Sequence, residues 1–558
     1  MRQLIERTKS WLVWNLPVLA AIVGWVKSLT SSSGRTVWVR QRDEFRAALP
    51  TLSPSLREPF YLAGSARPAI AFLMPSVHSA LFYAPIFKAL EMAGFCPRLL
   101  GNNQYFNLRI NKALGVACNF SVREYLSPPQ FGRAGRMLSH ISSVEDFLEL
   151  SDGGVMVGRH AASTYMRHSR SGRLYLDQPD VREALSAYLA RSLASADAMR
   201  RILDRYKPEV AFVADKGYTP QGEFFDECLA REVPVLAAYA AHRNNAFMLK
   251  RYTSENRDCH PYSLCAESWK AMIDMPWSED RWKEVSAEIK DCYSTGEWFA
   301  EVGTQTRVRK HSTERLQARF GLDPTKPTAI VFAHMFWDAT FFWGEDLFLD
   351  YDTWFVETVK AACANTRLNW IIKLHPANLV KDSRDDYTGR SSELMAIEKA
   401  VGELPRHVKL IEAGSDISTL SLFGLMDYCL TVRGTIGIEA SAFGISVLTA
   451  GTGRYDRRGF TREFDTKSDY LDTLDRLETL EPMTPEQIER ARRFAYGTFI
   501  ARPLIVHAID VSYDNDAAAS QQVELKTTTR EDIRKSSDIL AARQWIKSGS
   551  EDFLRLPD

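Results

Sequence analysis

Apolar residues along the chain fall into two separated series of short runs, and each run is followed by a stretch whose apolar positions recur at helical spacing. The first series opens with AIAFLM, Ala69 to Met74, a run of buried-strand length. PSVHSALFYAPIFKALEMAGF then predicts a loop and an amphipathic helix ending near Gly94. Pro97 to Gly101 is a second short strand, which completes a βαβ opening. Farther on, PEVAFVAD (Pro208 to Asp215) leads through Gly217, Pro220 and Gly222 into a helix ending near Arg231, and then to PVLAAY, Pro234 to Tyr239. Strand, helix and strand in alternation predict a parallel sheet. Arg182 to Tyr206, rich in Ala, Leu and Arg, reads as a helix between these units.

After Tyr252 the pattern weakens into a Trp-rich and charged region, Trp269 to Phe320, which reads as helices bridging two domains. The alternation then restarts. TAIVFA (Thr328 to Ala333), NWIIKL (Asn369 to Leu374), His407 to Ile411, MDYCLTV (Met426 to Val432) and ISVLTA (Ile445 to Ala450) are strands, with helices predicted at Asp352 to Ala364 and Ile438 to Phe443. Each series is long enough for its own doubly wound sheet, so the fold class expected is α/β with two Rossmann-like domains. The boundaries drawn from the pattern are an N-terminal hydrophobic segment 1–35, a first Rossmann-like domain 36–265, a helical linker 266–325 and a second Rossmann-like domain 326–480. Crossover helices at 481–512, including Pro485 to Tyr496, would return toward the first domain, and 513–558 reads as a polar tail with one helix near Arg530 to Ile546.

The length of 558 residues suits two such domains better than one core. Seventy basic and seventy acidic residues cancel, so no global field recruits nucleic acid, and any anion site must be local. The eight cysteines are scattered without CxxC or Cys/His zinc spacing, which fits free thiols in a reducing compartment. Ser10 to Val26 is uncharged and carries three tryptophans, but is short for a membrane span and contains Pro17. It reads either as an anchor lying on the cytoplasmic membrane surface or as a helix packed on the protein body.

Ligands of doubly wound sheets bind beyond the carboxyl ends of the strands, so chemistry is sought where strands stop. In VRGTIGIEASAFGISVLTAG, Val432 to Gly451, Gly434 and Gly437 allow close backbone approach and Thr435 suits a helix cap whose free N–H groups favour phosphate. Arg433 adds a charge, and Glu439, about one turn on, could accept from a ribose diol. Plain turn, cap and first-turn roles fit the same residues. In IIKLHP, His375 follows a strand and precedes a proline, where its imidazole could donate to a phosphoryl oxygen with Lys373 as counter-charge. AGTGRYDRRGFT, Ala450 to Thr461, offers Gly453, Arg454, Arg457 and Arg458, either as a phosphate grip or as a solvated loop. Asp215 and His78 end or follow strands of the first domain and are candidates to accept a hydroxyl proton, and His242 and Arg243 sit in a similar place after PVLAAY. There is no DxD motif at a strand end, so no metal ligands are assigned.

The combination of KLHP, DISTLSLFGLMDYCLTVRGTIGIEASAFGISVLTAG and GRYDRRGFT, with GGVMVGRHAASTYMR and VAFVADKGYTPQG upstream, resembles the capsule-polysaccharide and surface-carbohydrate biosynthesis glycosyltransferases. That group includes the capsule Kdo transferases and, more distantly, bacterial sialyl- and polysialyltransferases. The resemblance spans roughly residues 70 to 475 and is densest from His375 to Thr461. It implies a GT-B fold, two domains facing across a cleft, and transfer of a sugar from a nucleotide-activated donor to a growing glycan or lipid-linked acceptor. It further implies that His375, Gly434 and Thr435 contact the donor phosphate and that Glu439 holds the donor. The nucleotide sugar would be a co-substrate, with no cofactor and no metal. Arg433-Gly434-Thr435 stands where many Kdo- and sialyl-type relatives carry paired Ser/Thr residues, leaving CMP, UDP, GDP and dTDP donors open. A nucleotide-sugar 2-epimerase, a polyol-phosphate transferase and a non-catalytic glycan-binding scaffold are the rival readings.

Overall fold

The computed structural model describes residues 32–62, 64–73, 76–101, 105–116, 118–303, 308–514 and 520–556, with Ile22, Trp25 and Val26. Most of the Ser10 to Val26 segment therefore lies outside the described residues. Among the described residues no helix is long and apolar enough to cross a membrane.

The first series of apolar runs builds strands β1 (Arg67–Phe72), β2 (Phe95–Gly101), β3 (Cys118–Ser121), β4 (Val210–Val213) and β5 (Val235–Ala240), paired in parallel in the order β3-β2-β1-β4-β5. An antiparallel strand β6 (Ala246–Tyr252) continues the sheet beyond β5. The second series builds β7 (Thr328–Phe332), β8 (Asn369–Lys373), β9 (Val408–Ile411), β10 (Tyr428–Thr431) and β11 (Ser446–Thr449), all parallel, in the order β11-β10-β7-β8-β9. Counted within each sheet, both orders are 3-2-1-4-5, the doubly wound arrangement in which the strand order reverses beside the first strand. The residues of β7 and β8, TAIVF and NWIIK, are buried throughout, as strands covered by helices on both faces must be.

Helices form where the sequence caps them. Ser76 accepts from the Ser79 amide at 3.0 Å and opens the helix Val77–Met92, while Asp350 accepts from Thr353 at 2.6 Å and opens Tyr351–Ala364. The helices Ala266–Asp274 and Glu279–Thr295 lie between the two lobes in sequence and share an apolar cluster with Ile438, Tyr455 and Phe494 of the later chain.

The segment read from sequence as a polar tail is part of the first lobe. After the helix Pro485–Tyr496, strand β12 (Pro503–Ile505) adds antiparallel to β6, and β13 (Ile509–Asp514) pairs with β14 (Ser520–Leu525) as a hairpin. Helices Arg530–Lys535 and Ser537–Ser548 follow. Val511, Val523, Ile533, Ile539, Trp545 and Phe553 are buried in the same cluster as Leu81, Phe87 and Phe212 of the first sheet and its helices. The expectation failed because apolar residues at β-alternation and helical spacing are diluted there by surface polar residues, and a polar average conceals a one-sided face. A buried charge cluster locks the segment in place: Asp552 Oδ1 is 2.9 Å from Lys250 Nζ and 3.0 Å from Arg502 Nη2, all three side chains being fully buried. Asp552 Oδ2 accepts from the Cys265 amide at 2.8 Å.

The lobes touch on one side through the helix Val157–Ser169 and the loop after β4. Arg167 lies 3.2 Å from Asp338, Tyr218 donates to Asp338 at 2.6 Å, and Arg173 reaches Asp352 at 3.0 Å. Gly217 has no side chain because the Phe342 ring occupies that space, within 1.7 Å of where a Cβ would stand.

Candidate functional site

Where the two sheets face one another, the carboxyl ends of β4, β5, β7, β8 and β10 converge on a cavity of about 470 Å³, a size that suits a ligand of cofactor or nucleotide class. Its walls take Ala214 and Tyr239 from the first lobe, and Phe332 to Met335, Lys373 to His375, and Thr431 with Arg433 to Ile436 from the second. The site thus sits at the strand-order reversal of the second sheet, between β7 and β10.

Lys373 and His375 are delivered by β8. Lys373 is 8% exposed, and its ammonium has no hydrogen bond or ion pair to any described residue. Burial lowers it to about 8. His375 Nδ1 accepts from the Ala377 amide at 3.2 Å, and burial, with Lys373 and Lys381 nearby, lowers the imidazole to about 3. The ring is therefore neutral with its proton on Nε2, so that it is a hydrogen-bond donor and not a base.

The turn after β10 behaves differently from its sequence reading. Thr435 has helical angles, φ −56 and ψ −30, and caps nothing; its hydroxyl lies 3.0 Å from Arg454 Nη1. Thr431 takes the turn-closing role, its Oγ1 accepting from the Gly434 amide at 3.0 Å. Gly437 does not reach the cavity: its amide bonds the Gly434 carbonyl at 3.0 Å, and its missing side chain makes room for Tyr455, whose hydroxyl donates to that same carbonyl at 2.9 Å. Arg433 is 3% exposed and lines the cavity, but it is paired with Asp346 and bonded to the Glu345 carbonyl at 3.1 Å, so its charge is spent within the lobe. Glu439 is buried and accepts from Tyr293 at 2.5 Å. Burial raises its carboxyl to about 7.

Of the GRYDRRGFT loop, Arg454 faces the cavity. Its Nη1 donates to the Arg433 carbonyl at 2.9 Å, its Nη2 lies 2.9 Å from His260 Nε2, and no carboxylate pairs with it among the described residues. Burial lowers it to about 10. Gly453 is structural instead: with φ +95 it packs on Gly344, and its carbonyl accepts from His260 at 2.8 Å. Arg458 is tied to the Leu264 carbonyl at 2.7 Å.

The first-lobe candidates do not reach the site. His78 accepts from the Val523 amide at 3.2 Å and lies 3.5 Å from Glu44, facing the C-terminal hairpin that sequence had left as a tail. Asp215 bonds the amides of Lys216 and Gly217 at 2.6 and 3.2 Å, next to the cavity-lining Ala214. His242 and Arg243 both hold Glu288, His242 at 2.7 Å, and fasten the β5–β6 connection to the linker helix. Sequence reasoning missed His334, Asp338, His260, Tyr262, Tyr293 and Glu301, all on loops or linkers where no local pattern marks them. His334 Nε2 accepts from Val432 at 3.2 Å and contacts Thr431 at 3.1 Å, which pins the end of β7 to the turn after β10.

With two 3-2-1-4-5 sheets facing across a cleft, the fold is of the GT-B type. Solved structures of similar fold include the beta-Kdo 2,4 transferase KpsC of Thermosulfurimonas dismutans (14% identity, 53% of this chain and 88% of that one, TM-score 0.31). UDP-GlcNAc 2-epimerase from Neisseria meningitidis bound to UDP-GlcNAc is another (11%, 77% and 97%, TM-score 0.30), as is the glycosyltransferase SnogD from Streptomyces nogalater (12%, 78% and 95%, TM-score 0.24). Neither a protein-family model nor a curated protein matches the chain. At these identities and TM-scores, function has to be read from the cavity itself.

A titration follows from that cavity. An anion held by Lys373 needs the ammonium protonated, which holds below pH about 8 and fails above it. Glu439, ionising near 7, adds repulsion in the same direction. Affinity for a small polyanion such as pyrophosphate is therefore expected to weaken with rising pH, by up to about tenfold per unit above 8. Titration calorimetry between pH 6.5 and 9.5 checks this: Lys373→Met should bind more weakly and lose the decline above pH 8 while keeping the one near 7.

Proposed function

We propose that the cleft binds a nucleotide-activated sugar and transfers the sugar to a glycan or lipid-linked acceptor, as in surface-polysaccharide assembly. One observation carries the reading. Two cations without carboxylate partners, Lys373 and Arg454, and a neutral imidazole with its proton on Nε2, His375, line the same cavity. Buried cations without counter-ions are costly, and the cost falls when an anion occupies the space between them.

The diphosphate of the donor supplies that anion. As the anomeric C–O bond breaks, negative charge gathers on the departing phosphate, and the groups already aimed there stabilise it without reorganising. Those cations meet the charge that a divalent ion meets in other transferases, so the proposed reaction uses none. Much of the remaining wall is aromatic, with Tyr83, Tyr239, Tyr262 and Trp343, and suits the apolar faces of sugar rings. A second expectation is local to the membrane: the uncharged N-terminal segment would hold the enzyme at the cytoplasmic surface, near a lipid-linked acceptor.

Thermal unfolding in the presence of UDP, GDP, CMP and dTDP tests the nucleotide part. One of them at a hundred times its Kd should add about 2.7 kcal/mol, and a glycan-binding scaffold would show no such gain. His375→Ala should lower transfer about 100-fold through loss of one phosphate donor, with thermal stability unchanged. Unchanged turnover removes His375 from the reaction, and conversion of UDP-GlcNAc without any acceptor makes the protein an epimerase.

A further inference from the structure

Three carboxylates line the cavity, and their surroundings differ sharply. Asp338 is bonded by Tyr218 at 2.6 Å, by Arg167 at 3.2 Å and by Lys381, which together hold it well below the usual carboxylate range. Such a group is a poor proton acceptor. Glu439 is bonded by Tyr293 and Trp298 and belongs to the second lobe with Lys373, the end where the phosphate is held. Glu301 has neither hydrogen bond nor ion pair to any described residue, although its side chain is exposed at the cavity surface.

The backbone sets Glu301 in place with some strain. It sits in a single short turn, Ala300–Val302, entered through Phe299 at φ 50 and left through Gly303 at φ 64. A phenylalanine in the left-handed region costs of order 1 kcal/mol and persists where its surroundings enforce it. Here the Phe299 amide donates to the His242 carbonyl at 3.1 Å. The neighbours of Glu301 are Tyr83 and Tyr262 and the helix Ala377–Arg384, which follows directly on His375. The cavity histidines do not compete for a proton: His375 already carries its proton on Nε2, His334 uses Nε2 to accept from Val432, and His260 lies against the Arg454 guanidinium.

From this placement we infer that Glu301 is the general base that takes the proton of the acceptor hydroxyl. The inference rests on reading the cleft as a nucleotide-sugar site. The hydroxyl oxygen forms its bond to the anomeric carbon while its proton passes to a Glu301 carboxylate oxygen. The anomeric C–O bond to phosphate breaks, and its electron pair leaves with the nucleotide between Lys373 and Arg454.

The test compares wild type, Glu301→Gln and Glu301→Asp in the full chain. The donors are UDP-, GDP-, dTDP- and CMP-sugars labelled in the sugar. The readouts are nucleotide Kd by calorimetry, label transfer to a butanol extract of bacterial lipid-linked glycans, and nucleotide release to water. Expected are a Kd within about twofold of wild type, turnover reduced about 100-fold or more in Glu301→Gln, partial rescue in Glu301→Asp, and loss of the acidic limb of the rate profile. Equal turnover in Glu301→Gln overturns the role of Glu301 alone. Nucleotide binding without turnover in wild type also overturns it, leaving a binding cleft. No nucleotide binding in either form overturns the cleft reading, and this role with it.

Discussion

Replacing Arg454 with methionine is expected to weaken nucleotide binding about 100-fold, the largest loss from any single side chain of the cleft. The guanidinium has no carboxylate partner among the described residues; Nη1 is held by the Arg433 carbonyl at 2.9 Å and the Thr435 hydroxyl at 3.0 Å, Nε and Nη2 lie 3.2 and 2.9 Å from the His260 ring nitrogens, and one Nη2 N–H remains for a ligand. Charge-assisted bonds to phosphate contribute roughly 1.5–3 kcal/mol each, and about 3 kcal/mol for the group corresponds to the stated loss. Removing a buried cation without a counter-ion should cost the apoprotein little, and the midpoint of thermal unfolding should stay within a few degrees. Arg454→Lys keeps the charge but not the fork, and should fall between the two. Calorimetric titration with UDP and GDP decides it: equal affinity in Arg454→Met would place the phosphate elsewhere.

Asp552→Ala is expected to give the largest loss of stability, about 3–5 kcal/mol. Asp552 is the shared partner of Lys250 and Arg502, and its removal leaves Arg502 without a counter-ion in a fully buried place and Lys250 with one partner fewer. Arg502 keeps its carbonyl acceptors Pro261 and Leu249, each at 2.8 Å, whereas Lys250 keeps Glu551 at 2.6 Å on the partly exposed side. Arg502, left with no anionic partner among the described residues, should therefore account for most of the penalty, and Arg502→Met in the same chain should restore part of it. Urea unfolding of the three variants measures this. A change under 1 kcal/mol in Asp552→Ala would mean that water already reaches the cluster.

The two sheets were legible in the sequence because buried parallel strands are nearly continuous apolar runs. TAIVF, NWIIK and VAFV stand out from their surroundings, and each ends within a residue or two of the predicted limit. Strands β6, β12 and β14 were not legible, since each lies at a margin or in a hairpin where polar and apolar residues mix. The site was legible only where a strand delivers a residue directly, as β8 does for Lys373 and His375. Arg454 is named from its place in a Gly- and Arg-rich loop, but nothing local sets it apart from Arg457 and Arg458, because the partners that separate Arg454 from Arg458, His260 and Leu264, lie nearly two hundred positions earlier. Glu301 carries no sequence signal at all: its place on the cavity wall is a property of three dimensions.

The return of β12 to β6 has a consequence for how the protein is made. The first lobe needs both residues 67–252 and residues 503–553, whereas the second lobe is one uninterrupted segment inserted between them. On the ribosome the usual order, N-terminal domain first, cannot hold. The inserted lobe can finish while the earlier strands still lack their closing edge and await Phe553 and Asp552. Until Pro503–Ile505 emerges, the nascent first lobe keeps one flank of β6 open, and that flank is the place for a chaperone to act.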